Sequence, residues 1–355
     1  MSSELIGDMA RSIGAASMPV LKRAAGVVTR RVPIPQPLLL VGAGSAARLG
    51  EAIAGFAHRR LLLVTDATVM RLALAAPLLD ALRAARVDCV VFDAVLPDAP
   101  IPVVEQGLAL FRAEACDGIV AFGGGSVIDT AKVIGLAAAN RKRPRELAGY
   151  FRGRHGPVPI YAVPTTAGTG SEVTVAAVIS DPDEGRKYVV ADTRIVPDMA
   201  ALDPRVMVGL PSDITAATGM DALTHNIESY LSPAYHPLCD GIALEGLRIG
   251  ARALTAAVAE PGNLAARADM MMCSMMGAIA FQKDLGSVHA CAHALGAVCD
   301  MHHGLANALM IDTVLAWNRE AVPAKFDELA HAAGIGGGGA AFIGWLKDLK
   351  RRIGI

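Results

Sequence analysis

The hydrophobic pattern of the chain changes near residue 204. From residue 37 to that point, short apolar runs such as residues 61–64 and 118–122 alternate with stretches whose apolar positions follow the helical period. Alternating strands and helices are typical of βαβ units, which build a parallel sheet covered on both faces. From residue 212 onward the strand pattern ceases, and a nearly continuous helical pattern rich in Ala, Leu and Met follows. The sequence therefore predicts an α/β region followed by an all-helical region.

The same pattern gives bounds for the domains and their elements. The predicted strand at residues 159–163 closes the α/β series. We predict an N-terminal arm at residues 1–36, an α/β dinucleotide-binding domain at residues 37–208 and a helical domain at residues 209–355. The predicted strands cover residues 37–41, 60–65, 88–92, 118–122 and 159–163, and the predicted helices of the α/β domain cover residues 46–57, 69–85, 102–114 and 126–139.

Composition and charge argue against several classes of partner. The 355 residues carry 33 basic and 34 acidic side chains, so we expect no nucleic-acid partner. No stretch approaches the roughly 18 consecutive apolar residues of a spanning helix, and we expect no membrane association. The six cysteines form no CxxC pair, which favours reduced thiols. The N-terminus lacks a secretory signal pattern, so the predicted location is the cytoplasm.

Two glycine turns compete for a phosphate-binding role. Gly42-Ala43-Gly44 follows the first predicted strand, and Gly123-Gly124-Gly125-Ser126 follows the strand at residues 118–122. Each turn opens a helix, whose free N–H groups can bind a pyrophosphate. A tight turn without a ligand is the alternative for both. The triple glycine favours binding more strongly, because one glycine normally suffices for a turn.

Two further features of the α/β region fit a nucleotide. Residues 164–172 follow a strand and combine hydroxyl side chains with glycines, which can bind ribose, phosphate or an amide; a solvated loop is the alternative. Asp66 ends the second predicted strand. A carboxylate there can bind the ribose hydroxyls of the adenosine and so favours NAD over NADP. Asp66 can equally cap the following helix.

Histidines and one aspartate are spaced for a metal site in the helical region. Asp221 and His225 are four residues apart, on one helix face, and His289 and His293 repeat that spacing. The pair His302-His303 follows. A single buried histidine is usually a hydrogen-bonded core residue, but several in apolar surroundings are costly unless they are coordinated or paired. Such nitrogen and oxygen donors suit Fe²⁺, Zn²⁺, Co²⁺ or Mn²⁺. Spacing alone leaves open which of the later histidines is a ligand.

Four motifs in order carry a resemblance to a known family. They read GGGSVIDTAK at 123–132, PTTAGTGSEVT at 164–174, GMDALTHNIESY at 219–230, and GSVHACAHALG at 286–296 with HHGLANA at 302–308. From about residue 37 onward the chain resembles the iron-containing (group III) alcohol dehydrogenases. The resemblance implies a dehydroquinate-synthase-like architecture, in which a Rossmann-like α/β domain with a parallel sheet precedes an all-α metal-binding domain.

The resemblance also implies a role for each candidate residue. The Gly42 turn becomes part of the scaffold, His302 lies outside the metal site, and His293 lies beside it as the residue that transfers the proton. The implied metal ligands are Asp221, His225, His289 and His303. The implied cofactor residues are Gly123, Gly124, Gly125 and Ser126 for the pyrophosphate, with Asp129 in the helix they open, Thr165, Thr166 and Thr169 near the nicotinamide, Lys187 near the ribose or phosphate, and Asp66 near the adenosine ribose.

The expected function follows from these roles. We expect a metal-dependent NAD(H) oxidoreductase that interconverts a small primary alcohol or diol and its aldehyde, with NAD and Fe²⁺, or Zn²⁺ or another divalent metal, as cofactors. A homodimer or larger assembly is expected. A hydroxyacid-oxoacid transhydrogenase and a 4-hydroxybutyrate-type dehydrogenase are alternatives, whereas a zinc polyol dehydrogenase typically uses only one Asp and two His. A catalytically impaired metal- or nucleotide-binding homologue is the alternative of another class, because family members usually carry more helices beyond the point that matches residues 354–355.

Overall fold

A computed structural model describes residues 35–299 and 301–355 of the chain. Residues 36–355 form one compact unit. The predicted N-terminal arm, residues 1–36, lies outside the described residues except for its last two. The boundary predicted between residues 208 and 209 remains a prediction.

The core of the α/β region is a six-stranded parallel sheet beside a small second sheet. The strands are β1 (Leu38–Val41), β2 (Arg60–Val64), β3 (Asp88–Phe92), β4 (Gly118–Gly123), β5 (Gly149–Tyr150), β6 (Ile160–Pro164), β7 (Ala176–Asp181), β8 (Arg186–Ala191) and β9 (Met199–Leu202). The large sheet has the order β1-β9-β6-β4-β2-β3, with every pairing parallel. The small sheet has the order β5-β8-β7, with β7 antiparallel to β8.

Five helices accompany the sheets and seven follow them in the described chain. The first five are α1 (Ser45–Ile53), α2 (Ala67–Arg71), α3 (Ala76–Ala84), α4 (Ile101–Ala113) and α5 (Gly125–Asn140). The others are α6 (Ser212–Leu231), α7 (Pro237–Ala259), α8 (Leu264–Ala280), α9 (Ser287–Cys299), α10 (His303–Arg319), α11 (Pro323–Ala332) and α12 (Gly338–Arg352). Fold class and order of regions are thus as predicted.

Alternate residues of the central strands enter two different cores. Leu61 and Leu63 pack with helices α1 and α3, whereas Leu62 and Val64 pack with α4 and α5. Side chains of a strand point alternately to its two faces, so a sheet covered on both sides requires continuous apolar runs. The first of these cores continues into the helical region, where it includes residues of α6 such as Met220.

The structure corrects three details of the predicted elements. The strand at residues 159–163 does not close the series, because β9 follows it and lies between β1 and β6. The small sheet formed by β5, β7 and β8 was not predicted. The single helix predicted at residues 69–85 is broken into α2 and α3, with Ala73 between them at a φ of 51°. This left-handed conformation is unfavourable for alanine and interrupts the helical hydrogen bonds.

One helical segment of the described chain, Leu264–Lys283, is long and apolar enough to cross a membrane by length and composition alone. Just over half of it is buried inside the protein, 56%. Its residues Met270, Met271 and Cys273 belong to the first core, together with residues of α6 and α7. A helix enclosed by its own protein is apolar for the same reason that a spanning helix is.

Candidate metal centre and nucleotide-binding loops

Helix α6 supplies the central carboxylate and one histidine of a buried cluster. Its residues from Thr215 to Tyr230 are all buried, because other helices surround it. Asp221 and His225 lie one turn apart on this helix and expose only 3% and 5% of their surface. A buried carboxylate is costly unless charged or hydrogen-bonding groups compensate it. The surroundings of Asp221 therefore matter.

Three imidazoles converge on Asp221 from three helices. Its Oδ1 lies 3.6 Å from Nε2 of His303, 3.7 Å from Nε2 of His289 and 4.0 Å from Nε2 of His225. The donors of a four-coordinate metal centre with bonds of about 2.1 Å lie about 3.4 Å apart. The ligand atoms of Asp221, His289 and His303 all fall within 4.8 Å of one another. His225 lies slightly farther out.

The amide nitrogen of Asn307 lies close to three atoms of the cluster. Its Nδ2 is 2.7 Å from Oδ1 of Asp221 and 3.3 Å from Nε2 of both His289 and His303. One donor group thus faces three acceptor atoms. Oδ1 of Asn307 is buried with no hydrogen-bond partner among the described residues. Nitrogen and oxygen atoms that converge on one hydrogen-bond donor in this way can also surround a small divalent cation.

The charges in the cluster compensate one another. Burial opposes ionisation of Asp221, but the nearby His225, His303 and His289 hold the pKa of that carboxyl well below its usual range. Burial lowers the pKa of His225 to about 4. Burial also opposes charge on His289, yet the nearby carboxylates of Asp221 and Glu228 raise its pKa to about 9. Because metal ligands must be deprotonated, a bound cation competes with that proton.

Outer hydrogen bonds orient two of the rings. Nδ1 of His225 lies 3.2 Å from the backbone oxygen of Gly168, and Nδ1 of His289 lies 2.7 Å from Oε2 of Glu228. Each contact leaves Nε2 directed towards Asp221. Ligating histidines typically use their second nitrogen in this way. The sequence interpretation missed Glu228, although its position seven residues after Asp221 places it on the same helix face.

The other two histidines of this region differ in position. His293 is an exposed residue one turn after His289. The centre of its ring lies 4.9 Å from the centre of the His303 ring. Partial burial of the ring, with the nearby His303 and His289, lowers the pKa of His293 to about 4. His302 instead lines a cavity with Asp213 and the C-terminal residues. His293 thus borders the cluster.

The structure brings two of the predicted cofactor segments together. The N–H of Thr165 donates to the backbone oxygen of Gly123 at 3.0 Å. A Cβ at Gly125 would lie 2.7 Å from the side chain of Thr169, and one at Gly124 would lie 3.4 Å from Thr166. The two loops therefore lie at the carboxyl ends of the neighbouring strands β4 and β6, beside the N-terminus of α5. Ligands of open α/β sheets commonly bind at this edge.

Two residues of α5 hold the second loop in place. The buried Nζ of Lys132 lies within hydrogen-bond distance of four oxygens of residues 171–176, at 2.8–3.1 Å. Asp129 accepts from Oγ of Ser171 and from the N–H of Val178, at 2.5 and 2.8 Å. The predicted contact of Asp129 with the cofactor remains a prediction. Lys132 was not among the predicted site residues, since sequence does not show which lysine of a helix is buried.

Three other predicted positions have identifiable partners. Oδ1 of Asp66 accepts from the N–H groups of Thr68 and Val69 at 2.8 and 3.0 Å, so it caps α2 as the alternative interpretation held. Nζ of Lys187 lies 2.8 Å from Oδ1 of Asp98. The N–H of Asp98 in turn donates to Oγ of Ser126 at 3.1 Å. Lys187 and Ser126 are thus linked through one residue.

Comparison with known proteins decides which family has this arrangement. The family described as iron-containing alcohol dehydrogenase matches residues 37–204. The family described as the C-terminal part of Fe-containing alcohol dehydrogenases matches residues 215–355. The chain belongs to the iron-containing alcohol dehydrogenase family. It is 40% identical to a 1,3-propanediol dehydrogenase of Klebsiella pneumoniae over 296 residues, 82% of this chain and 76% of that protein.

Solved structures agree with the family assignment. A crystal structure of a 1,3-propanediol oxidoreductase superimposes with a TM-score of 0.87 at 37% identity, over 91% of this chain and 88% of that one. A sulfoacetaldehyde reductase from Bifidobacterium kashiwanohense, solved in complex with NAD⁺, gives 0.84 at 30% identity, over 91% and 86%. The family and fold predictions are confirmed. The protein is a metal-dependent, NAD-linked alcohol/aldehyde oxidoreductase.

Proposed function

We propose that Asp221, His225, His289 and His303 bind one divalent cation, Fe²⁺ in the native enzyme, beside an NAD(H) site. The proposal rests chiefly on the three Nε2 atoms that lie within 4.0 Å of one buried carboxylate oxygen. Two nitrogen ligands with fixed outer partners support it, since such partners set the ring orientation before a metal binds. The donors come from α6, α9 and α10, so binding requires the folded helical region.

We propose that the chemistry is the interconversion of a small primary alcohol or diol and its aldehyde. A cation held by these residues would supply Lewis-acid polarisation of the substrate oxygen, and a bound nicotinamide would supply or take up the hydride. His293 is suited to carry the substrate proton to solvent, because its ring adjoins that of His303 and the residue is exposed. Asp221 itself is only 3% exposed, and this burial strengthens electrostatic interactions at its carboxylate.

The cofactor is proposed to bind across the two loops at the sheet edge. The glycines at 123–125 allow close approach of the pyrophosphate to the N-terminus of α5, with Ser126 and Asp129 in that helix. Thr165, Thr166 and Thr169 face the nicotinamide side, and Lys187 faces the ribose or phosphate. Asp66 receives the adenosine ribose, since a carboxylate that caps a helix retains further acceptor capacity.

The substrate class follows from the relatives. Two of the proteins compared above are named for 1,3-propanediol, which fits a small diol. We also propose that the protein forms a homodimer or larger assembly, is located in the cytoplasm and has no nucleic-acid or membrane partner. The domain boundary is proposed to lie between residues 208 and 209. Cofactor that stays bound through gel filtration would instead favour the transhydrogenase alternative.

Replacement of one proposed ligand tests the metal centre. His303→Ala is expected to lower the affinity for Fe²⁺ or Zn²⁺ by 100-fold or more and to abolish NADH-linked reduction of C2–C5 aldehydes, because it removes one of about four ligand bonds. Metal content by elemental analysis and the absorbance of NADH measure the two effects. His331→Ala, an exposed histidine of α11, is the matched control. Full turnover by metal-free enzyme would contradict the proposal.

A further inference from the structure

Glu228 is a buried carboxylate that contacts the start of α9 at three points. Its surface is 2% exposed. Its Oε1 accepts from the N–H of Val288 at 2.7 Å, and its Oε2 accepts from the N–H of His289 at 3.1 Å and from Nδ1 of the same residue at 2.7 Å. One side chain thus holds both the helix terminus and the imidazole that this terminus carries.

The contact fixes which nitrogen of His289 bears the proton. A carboxylate can only accept, so Nδ1 donates to Glu228 and Nε2 keeps its lone pair in the neutral ring. That lone pair points to the region where Asp221 and His303 also direct their donor atoms, 3.7 Å from Oδ1 of Asp221. Without Glu228 the ring is free to take the other tautomer or to rotate.

The backbone around Glu228 is shaped to admit this contact. A Cβ at Gly286 would overlap Oε1 and Cδ of Glu228, so only glycine allows the carboxylate to lie this close to the start of α9. Glu228 also lies on the same helix as Asp221 and His225, at spacings of seven and three residues. Helix α6 therefore carries two of the proposed ligands and the partner that orients a third.

We infer that Glu228 is a positioning residue for the metal centre, which presents Nε2 of His289 to the cation by holding its Nδ1 proton. The inference rests on the proposed metal centre. Loss of a comparable outer partner typically costs 10-fold to 100-fold in metal affinity. A residue that only capped α9 would stabilise the helix without changing the affinity of the folded protein for the metal.

The test compares Co²⁺ binding by the unaltered 355-residue chain and its Glu228→Gln variant. Glutamine has nearly the same size as glutamate, but its N–H₂ group would face one of the groups of Val288 or His289 that donate to the carboxylate. We expect the Co²⁺ dissociation constant, from competition with a chelator, to rise 10-fold to 100-fold, with altered d–d absorption. Asp192→Asn, which changes a buried carboxylate paired with Arg194 in the α/β region, is the control for general destabilisation and should bind Co²⁺ normally.

The outcomes separate this inference from the proposed function. Normal Co²⁺ affinity and spectrum in Glu228→Gln, with binding still lost in His303→Ala, would overturn the role of Glu228 alone. Failure of the unaltered protein to bind Co²⁺ would overturn the metal centre and this inference with it. If the variant does not fold, ¹H–¹⁵N spectra of the Zn²⁺-loaded unaltered protein decide. A slowly exchanging Nδ1 proton on His289 supports the role, and Zn²⁺ on Nδ1 overturns it.

Discussion

At the scale of single residues, burial sets the protonation of groups near the loop at residues 164–174. Glu172 is 3% exposed, and burial raises its pKa to about 7, with Lys132 nearby as a partial compensation. A carboxyl with a raised pKa binds a proton in the folded chain at pH values where the unfolded chain has released it. Such a group stabilises the fold below its unfolded pKa and loses that contribution as pH rises through the folded pKa.

Replacement of Glu172 therefore has a pH-dependent effect on stability. Between pH 5 and pH 7 the free energy of unfolding of Glu172→Gln is expected to increase relative to the unaltered protein, by about 1–3 kcal/mol, since one pKa unit corresponds to about 1.4 kcal/mol. Urea denaturation at several pH values measures the difference. The exposed Glu105→Gln should run parallel to the unaltered protein. Parallel curves for Glu172→Gln would contradict the argument.

The residues of the site differ in how far sequence could predict them. The spacing of Asp221 and His225 placed both on one helix face, and the structure shows them there. The choice of His303 over His302 as a ligand needed the family motif, because the hydrophobic pattern does not distinguish between two adjacent histidines. Asn307 and Glu228 act through contacts between helices, and hydrophobic periodicity carries no information on such contacts.

At the scale of elements, the approach of α10 to α6 places His303 beside Asp221. Gly304 lies in the first turn of α10, and a Cβ there would overlap the backbone oxygen of Ala217 in α6. Backbone atoms of a buried helix cannot move aside as a flexible side chain can. The absence of a side chain at residue 304 thus determines how closely the two helices pack.

Gly304→Ala is expected to separate these helices at the metal centre. Overpacking of this kind typically costs about 1–3 kcal/mol, and the displacement of His303 should lower Co²⁺ affinity as well. Gly344→Ala in α12 is the matched control, because a Cβ there meets nothing within 4 Å and alanine favours the helix. Denaturation and Co²⁺ titration are the two measurements. Equal stability and affinity in both variants would show that the helices are not held by this contact.

Among the elements, sequence predicted the buried strands well and the short peripheral ones poorly. β3 has the bounds that its apolar run predicted, residues 88–92. β9 contains only four residues, Met-Ala-Ala-Leu, and a run of that length and composition does not distinguish a strand from a helix. β7 and β8 form a peripheral sheet with alternating or mixed burial, which gives a weaker pattern.

At the scale of the whole molecule, one apolar core joins the sheet to the helices. It includes Leu63 and Phe122 in the sheet, Met220 in α6 and Phe342 in α12. The proposed metal centre adds a second connection, but only among α6, α9 and α10. A hydrogen bond between Nδ1 of His225 and the backbone oxygen of Gly168 links this centre to the loop at the sheet edge. Metal binding should therefore stabilise the chain unevenly.

Hydrogen exchange of the 355-residue chain tests this uneven stabilisation. With Zn²⁺ at about 100 times its dissociation constant, binding contributes about 2.7 kcal/mol to the folded state. We expect slower amide exchange in α9 and in the first turns of α10, and a smaller effect at residues 165–170. Amides of the edge strand β3 that exchange by local opening should not change, because a local opening there does not break the metal bonds. His303→Ala should abolish the difference. Equal slowing of the locally exchanging amides of β3 and of α9, or no slowing in α9, would show that the cluster does not bind metal as a local cross-link between these helices.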